Sequence, residues 1–198
     1  MNDQNNVHTD GFAVCFSGHR QEKLPDLPMQ RILQSFLLRE IRDAAAEGAD
    51  TFYSGLATGI DLIAAELVLA ERQQHPHLRL IGVKPFPQQG NSLDAELRAR
   101  YQAVEQAADE IICVSSHYHQ GCFSMRNQYM IDHSSRLIAV VKEMQSGTGQ
   151  TIRMAQKAGL TLRIIDINQL ESAILPPDDA DLPQDCFPPQ IQGAERNF

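Results

Sequence analysis

Short apolar runs alternate along the chain with longer stretches in which apolar residues recur every three or four positions. Phe12–Ser17 is an apolar run that stops at Gly18. From Met29 to Glu47, the residues Met29, Ile32, Leu33, Phe36, Leu37, Ile41, Ala44 and Ala45 form a stripe at helical spacing. Pro28 suits the first turn of that helix and Gly48 its end. The same alternation continues. Thr51–Ser54 reads as a strand, and Gly59–Gln73 as a helix with Ile60, Ile63, Ala64 and Leu67 on one face. Leu78–Val83 is a third strand, and a helix capped by Ser92 runs through Leu93, Leu97, Tyr101 and Val104. Glu110–Ser115, Arg136–Val141 and Thr161–Asp166 are further strands, separated by helices over Phe123–Ser134 and Thr148–Ala158.

Ile111–Val114 and Leu137–Val141 are apolar without alternation. Strands covered on both faces have that pattern. Repeated strand–helix units with short connections predict an α/β fold: a Rossmann-like, doubly wound, mainly parallel sheet with helices on both faces. Three segments follow: a polar lead over 1–10, one domain over 11–170, and a Pro-rich acidic tail over 171–198. Five of the ten prolines fall in that tail, so an irregular chain is expected there.

Composition narrows the function. With 198 residues, 42% hydrophobic and 21% charged, the chain suits one ordinary globular core. No apolar run approaches the roughly 20 residues that span a bilayer, and Met1–Asp10 has no signal-peptide pattern. A cytoplasmic protein without a membrane partner is expected. The net charge is -8, which disfavours nucleic acid as a partner because no basic stripe is evident. Nothing in the sequence argues against a homo-oligomer. Cys15 and Cys113 sit in apolar runs and read as buried. His117, His119 and Cys122 lie close in sequence, but no fourth ligand is evident, so no metal site is expected.

Candidate chemistry gathers after the strands. Ser17-Gly18-His19-Arg20 follows the first, Ser54-Gly55-Leu56-Ala57-Thr58-Gly59-Ile60-Asp61 the second, and Ser146-Gly147-Thr148-Gly149-Gln150-Thr151 the fifth. In open α/β sheets, ligands bind beyond the carboxyl ends of the strands. Glycine lets backbone N–H groups approach a ligand, and helix N-termini favour phosphate. The hydroxyls of Ser17, Ser54, Thr58, Thr148 and Thr151 are further donors for such a ligand. A Walker P-loop and a GxGxxG turn after the first strand are both absent. Thr58–Asp61 also reads as a capping box, with Asp61 in the Glu position.

Arg126 and Asn127 lie on the apolar face marked by Phe123, Met130 and Ile131. A buried arginine needs a partner. That partner is either a carboxylate, Asp61 or Asp132, or a ligand phosphate or ribose; the second is preferred here. The expected binding residues are therefore Ser17, Gly18, His19, Arg20, Gly55, Gly59, Asp61, Arg126, Asn127, Gly147, Thr148 and Thr151.

Together these pieces resemble the YpsA-like family of the SLOG superfamily. The likeness rests on Ser17–Arg20, Ser54–Asp61 with Ala64-Ala65-Glu66, Gly121-Cys122 with Arg126-Asn127 and Tyr129-Met130, Asp132, and Gly147-Thr148 with Thr151. It runs from about Phe12 to Asp166. The resemblance implies a Rossmann-like domain binding a nucleotide or a nucleotide-derived molecule such as NAD, ADP-ribose or AMP. It implies no established enzymatic activity; some members are linked to bacterial cell division and stress responses.

Two related families frame the alternatives. Phosphoribohydrolases of the lysine-decarboxylase-like group place a Glu where this chain has Thr151. A hydroxyl cannot replace that carboxylate in cleaving an N-glycoside, so Asp61 or Asp132 would have to serve. The DprA family shares the fold and binds single-stranded DNA, for which a basic groove is expected. Binding or sensing of a small molecule is therefore the leading expectation.

Overall fold

The computed structural model describes residues 11–174. The lead over 1–10 and the tail from 175 lie outside the described residues. Six strands alternate with helices: β1 (Phe12–Gly18), α1 (Leu27–Ala46), β2 (Ala49–Ser54), α2 (Ile60–Glu71), β3 (Arg79–Lys84), α3 (Ala95–Ala107), β4 (Glu110–Cys113), α4 (Cys122–Asp132), β5 (Arg136–Val141), α5 (Gly147–Lys157), β6 (Thr161–Asp166) and α6 (Ile167–Ile174). One 3-10 turn, Gln21–Lys23, follows β1. The sheet is parallel throughout, in the order β4-β3-β2-β1-β5-β6. This is the expected Rossmann-like α/β architecture.

The strand order explains where a ligand can sit. From β1 the chain builds outward to β4, then crosses back to β5 on the other side of β1. The loops after β1 and β5 therefore diverge to opposite faces, leaving a crevice between them.

Side-chain alternation divides the core into two layers. Val14, Phe16, Phe52, Leu80, Ile138 and Val140 pack with the buried faces of α1, α2 and α3. Cys15, Ile81, Val83, Leu137, Ala139 and Val141 pack with Met130 and Ile131 of α4 and Ile152 and Ala155 of α5. Helix α1 buries Met29, Leu33, Leu37, Ile41 and Ala44, the stripe its spacing predicted. Each of the four larger side chains contributes about 1.5–3 kcal/mol by leaving water.

Several expectations need correction. Strand β4 is not covered on both faces: it is the outer strand, with Glu110, Ile111 and Cys113 exposed. An apolar run records hydrophobicity but not a place in the strand order. Residues 171–174, assigned to the irregular tail, belong to α6, whose Ile167 closes onto the α1–α3 layer. The cap of α3 is Asp94, not Ser92; its carboxylate accepts from Leu97 N at 2.9 Å.

Asp94→Ala is expected to lower stability by about 1 kcal/mol in urea unfolding, and Ser92→Ala by a few tenths at most.

Candidate functional site

Three strand ends and one helix build a crevice of about 300 Å³. The β1 end supplies Ser17, Gly18, His19 and Arg20, continued by Glu22 and Lys23 of the 3-10 turn. The β2–α2 connection supplies Ala57 and Asp61, and α4 supplies Phe123, Arg126 and Asn127. Ser146, Gly147, Thr148 and Thr151 form the wall after β5. Sequence reasoning left Glu22, Lys23, Ala57, Phe123 and Ser146 out of the site. Ser146 was legible as the residue before Gly147; Glu22 and Lys23 were not, because nothing marks the turn that folds them inward.

Gly55 and Gly59 are close by but do not line the crevice. A side chain at Gly55 would overlap the Arg126 guanidinium and crowd Asp61 Oδ2 at 2.7 Å. The absent side chain makes room for that pair. Gly59 has φ +92, and a Cβ there would press on the backbone of His19, Arg20 and Gln21. It therefore lets α2 start directly against the β1 loop. Gly18 fits against Ile60 in the same way.

At the centre, Arg126 Nη1 donates to Asp61 Oδ2 at 2.9 Å, and both residues are about 95% buried. Of the partners foreseen for Arg126, the carboxylate of Asp61 is thus the one engaged. Arg126 Nε is buried with no partner among the described residues. Asp132 is exposed, accepts from Gln128, and lies outside the crevice, so it is no candidate acid. Burial pushes the Asp61 carboxyl up, and the Arg126 charge opposes that push. Asp61 makes no capping box: Gly59 caps α2 without a side-chain hydrogen bond, and two of the first donors of the helix are already engaged. Ile60 N donates to His19 O at 3.1 Å, and Leu62 N to Ala57 O at 3.1 Å. Ser54 is also committed: its Oγ donates to Asp61 O at 2.8 Å and accepts from Leu56 N. It offers nothing to a ligand.

Helix α5 differs. Its cap, Ser146, accepts from Gly149 N at 3.2 Å. The N–H groups of Gly147 and Thr148 have no acceptor among the described residues. A Cβ on Gly147 would meet nothing within 4 Å. Behind this turn, Thr151 Oγ1 donates to Gly147 O at 3.1 Å and accepts from Asn127 Nδ2 at 2.8 Å. The residue in the hydrolase acid's place therefore holds α4 against α5. Arg20 and Lys23 are exposed at the rim with no ion-pair partner among the described residues. Two free cations and an open helix N-terminus together suit an anion.

His19 ties the divided loops together. Its Nε2 accepts from Lys142 N, at the end of β5, at 2.8 Å. That acceptor role requires neutral Nε2 and places the proton on Nδ1. Burial lowers its pKa below the ordinary 6.5, with Lys23 adding to the effect. His117, His119 and Cys122 lie close in sequence, with no metal site expected from them. His117 is exposed, His119 is half-buried and Cys122 is buried, and no His/Cys/Asp/Glu group among the described residues is placed to hold a metal.

Arg126→Ala leaves a buried carboxylate unpaired and is expected to cost about 3–5 kcal/mol. Asp61→Ala/Arg126→Ala is expected to cost less than the two single changes summed, measured as a double-mutant cycle in urea. His19 is expected to titrate below 6.5 by NMR, in the Nδ1–H tautomer. Because the unfolded chain takes up that proton first, stability falls as pH drops through and below the ordinary histidine range. A titration midpoint at or above the ordinary value contradicts the assignment.

Among the described residues, no helix is long and apolar enough to cross a membrane. The chain is 35% identical over 121 residues to the uncharacterized SPbeta prophage-derived protein YoqJ of Bacillus subtilis (strain 168), covering 55% of this chain and 71% of that protein. It is 24% identical over 173 residues to a UPF0398 protein of Staphylococcus haemolyticus, covering 82% of this chain and 92% of the other. Among solved structures, DNA processing protein A from Helicobacter pylori, described for its single-stranded DNA binding mode, superposes with a TM-score of 0.55. The identity is 23%, over 82% of this chain and 73% of that one. DprA from Streptococcus pneumoniae also superposes at 0.55, with 17% identity, over 78% of this chain and 50% of that one. These two show a shared fold. The YpsA family profile matches residues 14–170; the chain belongs to the YspA SLOG family.

Proposed function

We propose that the crevice binds a phosphate-bearing, nucleotide-derived small molecule, and that the protein acts as a binding or sensing module. One observation carries this reading: the unpartnered N–H groups of Gly147 and Thr148 at the start of α5, beside the switch point of the sheet. A phosphate there accepts from both amides and lies along the positive end of the helix dipole. Arg20 and Lys23 supply charge from the opposite wall. Asn127 Nδ2 is committed to Thr151, which leaves its Oδ1 to accept from a ribose hydroxyl. Membership of the SLOG family is consistent with NAD, ADP-ribose or AMP as the ligand.

Binding is favoured over N-glycoside hydrolysis because the carboxylates at hand are poorly placed for it. Asp61 is held by Arg126, and Glu22 sits exposed on the rim. A hydrolase needs a carboxylate free to stabilise positive charge or move a proton. The DNA binding of the Helicobacter pylori protein is a separate reading, and a salt-dependent gel shift with single-stranded DNA tests it.

Gly147→Pro isolates the phosphate contact. Gly147 is the first residue of α5, where proline is tolerated, and Ser146 already has the extended backbone that precedes proline (φ -84, ψ 173). Calorimetry is expected to show AMP, ADP-ribose or NAD binding with a Kd well below roughly 1 mM. Gly147→Pro is expected to retain stability and weaken binding about tenfold or more, as one charge-assisted hydrogen bond is lost. No binding by any of the three ligands overturns the proposal.

A further inference from the structure

We propose that the recess beside the crevice takes the nucleobase of the same ligand, an inference that rests on the phosphate reading above. This second hollow, about 260 Å³, shares Arg20, Ala57 and Phe123 with the crevice. A single molecule can therefore extend from one into the other. The two hollows differ in chemistry. Free amides and cations mark the first; aromatic rings mark the second.

Phe86 and Phe123 both line the recess, with ring centroids 6.0 Å apart and edge to face. Tyr118 stands against both, at 5.4 Å from Phe86 and 6.4 Å from Phe123, and is 64% exposed. Arg20 lies over the Phe123 ring at 5.3 Å. A planar base finds here both a π-face to stack on and an adjacent guanidinium.

The lining also carries unfilled hydrogen-bonding capacity. Gln89 Nε2 donates to Gly55 O at 3.0 Å and Leu56 O at 2.8 Å, which fixes the orientation of its amide. Gln89 Oε1 and the Tyr101 hydroxyl are left buried without a partner among the described residues. Such atoms are rare in folded proteins and call for a partner. The edge of a nucleobase alternates donors and acceptors and can complete both. Leu56, another lining residue, holds φ +50, a left-handed conformation that is unusual for a bulky residue. Strain of this kind concentrates at ligand sites.

The test uses the full chain and three probes followed by NMR: adenosine, AMP and ribose 5-phosphate. The ring resonances of Phe86 and Phe123 are expected to shift with adenosine and AMP but not with ribose 5-phosphate. The Gly147 and Thr148 amides are expected to shift with AMP and ribose 5-phosphate. Phe86→Ala is expected to weaken AMP about tenfold while leaving ribose 5-phosphate unchanged. Amide shifts with rings that stay still for adenosine and AMP overturn the base site alone. Ring shifts with still amides support the base site and overturn the phosphate reading. Rings and amides unmoved by every probe overturn both.

Discussion

Asp61 and Arg126 meet across the carboxyl edge of the sheet, and the shape of the crevice depends on that contact. Asp61 rides on the first turn of α2, and Arg126 projects from α4, which covers the opposite face. A buried ion pair offsets its desolvation only when its geometry is good and neighbouring polar groups are satisfied. The surroundings meet part of that demand, while Arg126 Nε has no partner among the described residues. Gly55 vacates the space that the guanidinium fills. Ser54 holds Asp61 through its carbonyl and Leu56 through its amide. The pair thus fixes the β2–α2 connection to α4 and sets the floor between the two divided loops.

Around that floor the glycines have distinct tasks. Gly18 and Gly59 bring the β1 loop and the start of α2 into contact, which engages Ile60 N with His19 O. Gly147 leaves the start of α5 open. Two helices begin after glycine-bearing loops at the same sheet edge; Ile60 N and Leu62 N of α2 are engaged, whereas Gly147 N and Thr148 N of α5 have no acceptor among the described residues. The difference lies in what packs on each helix end, since the dipole is common to both. His19 reinforces the arrangement by accepting from Lys142 across the switch point.

Local pattern made much of this legible. The α1 stripe, the alternation of strands and helices, and the loops after β1, β2 and β5 all follow from short-range periodicity and turn chemistry. Arg126 stood out because a guanidinium on an apolar face needs a partner. Other features depend on residues far away in sequence. The apolar neighbours of Cys113 suggest burial, but among the described residues β4 has no strand on its outer side, and Cys113 is exposed. Thr151 read as a departure from a hydrolase acid; in the fold it joins Asn127 to Gly147 O. Asp94 displaced Ser92 as a cap because α3 starts later than its apolar residues suggested.

The sequence by itself determined the parallel Rossmann-like sheet and the edge at which special residues collect. Hydrophobic period and glycine position are local properties, and repeated strand–helix units admit few topologies. Tertiary structure decided which groups at that edge are free. Hydrogen bonds and burial are shared between distant segments, so only the assembled fold shows that Ser54, Thr151 and Ile60 N are committed while Gly147 N and Thr148 N have no acceptor among the described residues. The crevice could be located from the chain; the polar groups left available in it could not.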